Sequence, residues 1–210
     1  AFNAGSWQQR FMTSHTDDII CVAATEDGKI AATGQIGTNP RLIVWEATTM
    51  RPLHIFKDIH KHGITQIAFS PDGTLIASVG MDEQHTVVVH EIATGEVRCK
   101  LTQAGTKCLG LGWSGDSATL AACGVGWILF HEFVGGNVRT KTGIIGTKGR
   151  VQPLLCLGWI GQRCAVGTAD GHIYIFQGHE LHISVKAHSR HVSCIHVVGE
   201  RMATGAKDGK

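Results

Sequence analysis

Charge is scarce in this chain. Only 17% of its 210 residues are Asp, Glu, Lys or Arg, and 19 Lys and Arg against 17 Asp and Glu leave a formal net charge of +2. So small an excess excludes a generic nucleic-acid binder and a polybasic membrane anchor, and any basic surface must come from arrangement. No stretch approaches the roughly 18 uninterrupted apolar residues of a membrane helix. The opening Ala1-Phe2-Asn3-Ala4-Gly5-Ser6-Trp7 lacks the charged and greasy regions of a secretion signal. There is no C-x-x-C pair. The seven cysteines (Cys21, Cys99, Cys108, Cys123, Cys156, Cys164, Cys194) are an odd number and mostly lie in apolar runs such as Leu154-Leu155-Cys156-Leu157. They read as reduced core residues of a soluble cytoplasmic protein rather than as a disulfide framework. No G-x-S-x-G nucleophile elbow occurs, and Gly110-Leu111-Gly112 and Gly124-Val125-Gly126 lack a following helix to bind phosphate. Catalysis has no sequence support, no cofactor is implied, and an enzyme is the least supported functional class.

What the chain does have is 43% hydrophobic residues, enough for a core, and 27 glycines in a repeating pattern. Five segments open with a short apolar strand: Ile19 to Ala23, Ile64 to Phe69, Cys108 to Trp113, Leu154 to Trp159, and Val192 to Val197. A turn follows each, as in Thr25-Glu26-Asp27-Gly28, Ser70-Pro71-Asp72-Gly73 and Ser114-Gly115-Asp116-Ser117. Such residues close tight bends or tolerate positive φ, so each pair of strands is a hairpin. The second strands end at Gly34, Gly80, Gly124, Gly167 and Gly205, at intervals of 46, 44, 43 and 38 residues. That is close to the period of about 40 to 45 of four-stranded propeller blades. Helical repeats are disfavoured because the apolar runs are short, β-branched and broken by turn signals. Third strands align without gaps and place Trp45, His90, His131 and Phe176 in one column. Fourth strands at Pro52 to Phe56, Glu96 to Leu101, Asn137 to Thr140 and Glu180 to Val185 are plainer, as suits an outer edge.

Strand, turn, strand ending in Gly, strand ending in Trp, and a His ahead of the next unit make the chain resemble WD-repeat proteins. The resemblance implies a buried polar chain of His, Ser or Thr, Asp and Trp in each blade. His15, Thr33 and Trp45 match it in the first unit and His188, Thr204 and Asp208 in the last, while Asp170 is a fragment of it in the fourth. The first unit has no Asp in Gln35-Ile36-Gly37-Thr38-Asn39-Pro40, and the middle units keep only pieces. A narrower run, Gln9-Arg10-Phe11, His15-Thr16-Asp17-Asp18-Ile19, Ile30-Ala31-Ala32-Thr33-Gly34-Gln35 and Ile43-Val44-Trp45, with Ala187-His188 and Gly205-Ala206-Lys207-Asp208-Gly209-Lys210 near the end, resembles the echinoderm microtubule-associated protein-like family. That likeness implies tubulin or microtubule association, with cytoskeletal localisation. Ciliary WD-repeat proteins share much of the Ala-Thr-Gly-Gln pattern and imply an adaptor in the cilium.

The expected fold is therefore an all-β propeller portion of four full blades and two partial ones, cut from a longer chain. Residues 1–14 would end a preceding blade, with Ser6 to Met12 as its fourth strand. Residues 15–58, 59–102, 103–147 and 148–187 would be the blades, and 188–210 a truncated one. The 13 histidines do not read as a metal site, because on a strand residues at i and i+3, such as His179 and His182, point to opposite faces. Antiparallel strands divide the loops between two rims. The links between units and the turns after second strands carry nine cations against seven anions, whereas the opposite rim is acidic. Lys57, Lys61, Lys107, Lys148, Arg150 and Arg190 on the first rim are the candidate contacts for an acidic protein partner such as tubulin. Neither nucleic acid, membrane nor metal is expected among the partners. Trp127 and the Gly135-Gly136-Asn137 loop have no role in this scheme.

Overall fold

The computed structural model describes residues 2–3, 8–9, 11–102 and 106–210. Two short strands, β1 (Phe2–Asn3) and β2 (Gln8–Gln9), pair antiparallel at the start. The outer strand expected over Ser6 to Met12 falls partly outside the described residues. Four four-stranded sheets follow. The first holds β3 (Ile19–Ala24), β4 (Ile30–Gln35), β5 (Leu42–Glu46) and β6 (Pro52–Phe56). The second holds β7 (Ile64–Phe69), β8 (Leu75–Gly80), β9 (Val87–Glu91) and β10 (Val97–Leu101). The third holds β11 (Cys108–Trp113), β12 (Thr119–Gly124), β13 (Trp127–Val134) and β14 (Asn137–Thr142). The fourth holds β15 (Leu154–Ile160), β16 (Arg163–Thr168), β17 (His172–Gln177) and β18 (Glu180–Lys186). A last hairpin joins β19 (Val192–Val198) to β20 (Arg201–Ala206). In every sheet the strands lie in chain order and run antiparallel, which is what short turns between alternating apolar runs dictate. A 3-10 turn at Gly146–Lys148 is the one helical element among the described residues.

The sheets stand radially. First strands are neighbours, β3 beside β7, β7 beside β11, β11 beside β15 and β15 beside β19. The second, third and fourth sheets are thus covered on both faces by their neighbours, so their inner strands bury alternate residues into two different cores. On β12, Leu120 and Ala122 pack with Val79, Val87 and Val89 of the second sheet, while Ala121 and Cys123 pack with Leu154 and Val166 of the fourth. At the two flanks the pattern lapses. Ile19, Ile20 and Val22 on β3 and Val198 on β19 are exposed.

The third-strand column of the repeat is real in register. Trp45, His90, His131 and Phe176 pair with Ala31, Ile76, Leu120 and Cys164 on the second strands. The glycine column is not a single column. The register of every first strand slips by one residue near its start; Gly34, Gly167 and Gly205 pair just past the slip, with Cys21, Cys156 and Cys194, whereas Gly80 and Gly124 pair before it, with Ile64 and Cys108. Two causes hold them. A Cβ on Gly34 would lie 2.7 Å from the Cys21 sulfur and 2.8 Å from Ile64 Cβ in the next sheet, so that glycine permits close blade packing. A Cβ on Gly80 would lie 2.5 Å from His60 Nδ1, so that glycine makes room for a link histidine. The cysteines are free thiols, and burial pushes Cys21, Cys99 and Cys156 up to about 11 and Cys108 up to about 12. Cys194 departs from the expected core placement and is exposed, because β19 has no further sheet against its outer face among the described residues.

Candidate interaction rim

The links that enter each sheet are tied to its second strand by polar side chains. In the first unit His15 Nε2 lies 2.7 Å from Thr33 Oγ1, and its Nδ1 lies 2.8 Å from Gln35 Oε1. Gln35 stands where the first unit lacks an Asp. Burial lowers the His15 pKa, partly offset by the Gln35 bond. Trp45 stays outside this set, its buried indole nitrogen without a partner among the described residues. In the last unit His188 Nε2 is 2.9 Å from Thr204 Oγ1 and Nδ1 is 3.2 Å from Asp208 Oδ2, which also accepts the Ser189 N–H at 3.0 Å. Asp170 meets no link histidine. It accepts from Thr168 Oγ1 at 2.6 Å and lies 2.9 Å from Nδ1 of His172, while Gln152 from the link accepts the Asp170 N–H at 3.0 Å.

A further set went unread in the sequence. His60 Nε2 lies 2.8 Å from Ser78 Oγ, and its Nδ1 faces Asp82 Oδ2 at 3.8 Å. The signal was there, since His60 and Ser78 are 18 residues apart, the same separation as His15 and Thr33. Trp127 also gains a place: its indole N–H donates to Thr106 Oγ1, closing the third unit's link without a histidine. Gly135 and Gly136, at φ of 55° and 89°, make the tight turn from β13 to β14.

The antiparallel order puts all six candidate cations on the link rim: Lys57 after β6, Lys61 before β7, Lys107 before β11, Lys148 and Arg150 before β15, and Arg190 before β19. All six are exposed. None of them forms an ion pair among the described residues, where the Lys and Arg pairs are Lys29 with Asp27, Arg51 with Glu46 and Lys141 with Glu132. Three carboxylates of the same rim behave differently. Asp82, Asp170 and Asp208 face His60, His172 and His188. Burial works against their ionisation, but hydrogen bonds from neighbouring backbone and side chains outweigh it and hold all three pKa values below the usual carboxylate range. Oδ1 of Asp170 and both oxygens of Asp208 are engaged in bonds within the protein, which leaves these two carboxylates less available to a partner than the exposed cations of the same rim.

On the opposite rim the acidic turns also serve themselves. Ser70 Oγ donates to Asp72 Oδ1 at 2.6 Å, Ser114 Oγ to Asp116 Oδ1 at 2.6 Å, and Thr25 Oγ1 to Asp27 Oδ1 at 2.7 Å. Backbone N–H groups two residues on complete each turn, at Thr74, Ala118 and Lys29. No group of three or more His, Cys, Asp or Glu side chains converges among the described residues as metal ligands would.

Comparison with known proteins places this geometry. The crystal structure of the Myceliophteria thermophila Cps50 (Swd1) β-propeller domain superposes with a TM-score of 0.78 at 15% identity, over 92% of this chain and 65% of that one. The Euplotoides octocarinatus ciliary WD repeat-containing protein ctxp80 is 28% identical over 203 residues, covering 93% of this chain and 28% of that protein. The 77 kDa echinoderm microtubule-associated protein of Strongylocentrotus purpuratus is 23% identical over 225 residues, covering 100% of this chain and 33% of that protein. The chain spans about a third or less of these two relatives. Radial four-stranded sheets of this kind define a WD-repeat β-propeller. A family model for the echinoderm microtubule-associated protein first β-propeller matches residues 8–210, and the chain belongs to that family.

Proposed function

We propose that the chain is a non-catalytic interaction scaffold that binds tubulin or microtubules through its link rim and acts at the cytoskeleton. The observation that carries this reading is the set of exposed, unpaired cations on one rim of a propeller whose relatives include microtubule-associated proteins. A rigid array of packed sheets fixes the loop tips in space, so the charges meet a partner without first being ordered. Long-range attraction speeds encounter, and each exposed pair adds about 0.2 to 1 kcal/mol. Reversing Lys107, Lys148 and Arg150 together to Glu is expected to weaken co-sedimentation with microtubules and to flatten its salt dependence. Undiminished pelleting at low salt would remove this face as the contact. A second reading, an adaptor within the cilium, is favoured by the likeness to the ciliary WD repeat-containing protein. It predicts capture of ciliary proteins by a chain that fails to pellet with purified microtubules.

A further inference from the structure

We propose that a cavity on the link rim of the fourth sheet receives the carboxylates of an acidic protein segment. This deepens the scaffold reading and rests on it in one respect, that the partner is a protein. The cavity, about 460 Å³, is lined by Lys148, Arg150, Lys186, His172 and Tyr174, with Asp170 as its only carboxylate.

Three permanent cations thus face one anion, and one oxygen of that anion is occupied. Asp170 Oδ1 accepts from Thr168 Oγ1 at 2.6 Å and from the His172 N–H at 3.3 Å, and lies 2.9 Å from His172 Nδ1. Lys148 and Arg150 have no carboxylate partner among the described residues. Lys186 donates to the Asp170 carbonyl, which leaves ammonium hydrogens free.

Arg150 is also held in place. Gly149 packs close to Tyr174, where a Cβ would come 2.9 Å from Cζ and 2.8 Å from Leu181 Cδ2. The Tyr174 hydroxyl, on a side chain 1% exposed, accepts the Arg150 N–H at 2.8 Å and donates to the Arg150 carbonyl at 3.1 Å. Gln152 Nε2 donates to the Tyr174 hydroxyl oxygen at 2.9 Å. One phenol therefore clamps both backbone groups of Arg150, so its guanidinium leaves from a fixed point and loses less freedom on binding.

The other rim cavities lack this character. The one beside His60 sets Lys61 and Lys100 against Asp58, Asp82 and Glu83, and the one between the first two turns holds Glu26, Asp27 and Asp72. Tyr174 is buried under the loop, so its ring offers no face on which a nucleobase would stack. Carboxylates on a peptide suit a small pocket with a forked guanidinium donor.

The test is fluorescence anisotropy of the full-length protein with labelled hexaglutamate and hexaglutamine peptides. Hexaglutamate should bind and hexaglutamine should not. The Arg150→Ala/Lys186→Ala variant should bind about tenfold more weakly. Tyr174→Phe, which alters no charge, should weaken binding about threefold through loss of the clamp. Lys29→Ala/Arg201→Ala, on the opposite rim, should change nothing. Equal losses in the two double variants would mean diffuse charge, and undiminished binding by Arg150→Ala/Lys186→Ala would mean another site; both overturn the pocket. Displacement of hexaglutamate by inorganic phosphate at equal charge would also overturn it, in favour of a phosphate site. Microtubule pelleting is scored separately: pelleting without hexaglutamate binding sinks the pocket alone, and hexaglutamate binding without pelleting supports the pocket while sinking the microtubule reading.

Discussion

Trp159 of β15 donates its indole N–H to the carbonyl of Gly112 on β11 at 3.0 Å, and so joins the fourth sheet to the third. Trp113 repeats the bond one sheet earlier, donating to Ala68 at 3.1 Å. Both tryptophans close a first strand near the axis, where apolar packing alone would let neighbouring sheets slide. A directional bond fixes their stagger. Trp159→Phe keeps most of the ring contact with Phe130 but removes the donor. It is expected to cost about 1 to 2 kcal/mol, read as a lower midpoint in thermal melting. An unaltered midpoint would show that ring packing alone sets the stagger.

Ser78→Ala addresses the second link. His60 and Ser78 are both buried, and removal of the hydroxyl strips His60 Nε2 of its partner at 2.8 Å. An unpaired buried donor or acceptor costs about 1 to 3 kcal/mol. Chemical denaturation should report a loss of that size. Amide exchange should quicken in the His60 link before it does in β8. Uniform quickening across the second sheet would contradict a local tie.

Stability should fall in acid. Burial pushes His60, His90 and His131 down to about 4 from 6.5, with Asp82 partly offsetting the effect at His60. Between those values the unfolded chain binds protons that the folded chain refuses, so stability is full above about pH 6.5 and declines as pH falls toward 4. His90 is the informative position. Neither ring nitrogen has a partner among the described residues, its ring lies 4.1 Å from that of Phe56, and the fourth sheet carries Phe176 in the same column. His90→Phe should therefore raise stability at pH 7 by about 1 kcal/mol and make the acid decline shallower. An unchanged slope in denaturation midpoints between pH 7 and pH 5 would refute the burial argument.

Much of this fold was readable because its signals are local. Turn residues and β-branched runs mark strands one at a time, and the column of Trp45, His90, His131 and Phe176 needed no gaps. The glycine column slipped by one residue at Gly80 and Gly124, because two different close approaches call for glycine at adjacent register positions. The rim was legible only in part. Loop positions give the cations, but whether a carboxylate such as Asp208 is spent on an internal bond depends on link residues, His188 and Ser189, that lie 20 and 19 positions away and that only tertiary structure brings near. Gln152 and Tyr174 carried no motif at all, since their roles arise from one clamp around Arg150.

Gly34 and Gly205 occupy equivalent places just past the first-strand slip, yet alanine should affect them unequally. At Gly34 a new Cβ meets Ile64 Cβ at 2.8 Å, an atom tied to the β7 backbone, as well as the Cys21 sulfur at 2.7 Å. The sheets would have to part, and overpacking of this kind costs about 1 to 3 kcal/mol. In the 210-residue chain the Cβ at Gly205 meets, among the described residues, only the Cys194 sulfur, at 2.9 Å, on an exposed side chain that can turn about one bond. In that 210-residue chain, Gly205→Ala should therefore lie within about 0.5 kcal/mol of the parent. Adding Cys194→Ala should remove what penalty remains, whereas Cys21→Ala should rescue Gly34→Ala only in part because Ile64 stays. Denaturation midpoints of the four proteins decide the matter. Full rescue of Gly34→Ala by Cys21→Ala would show that the glycine serves its own hairpin and not the junction between blades.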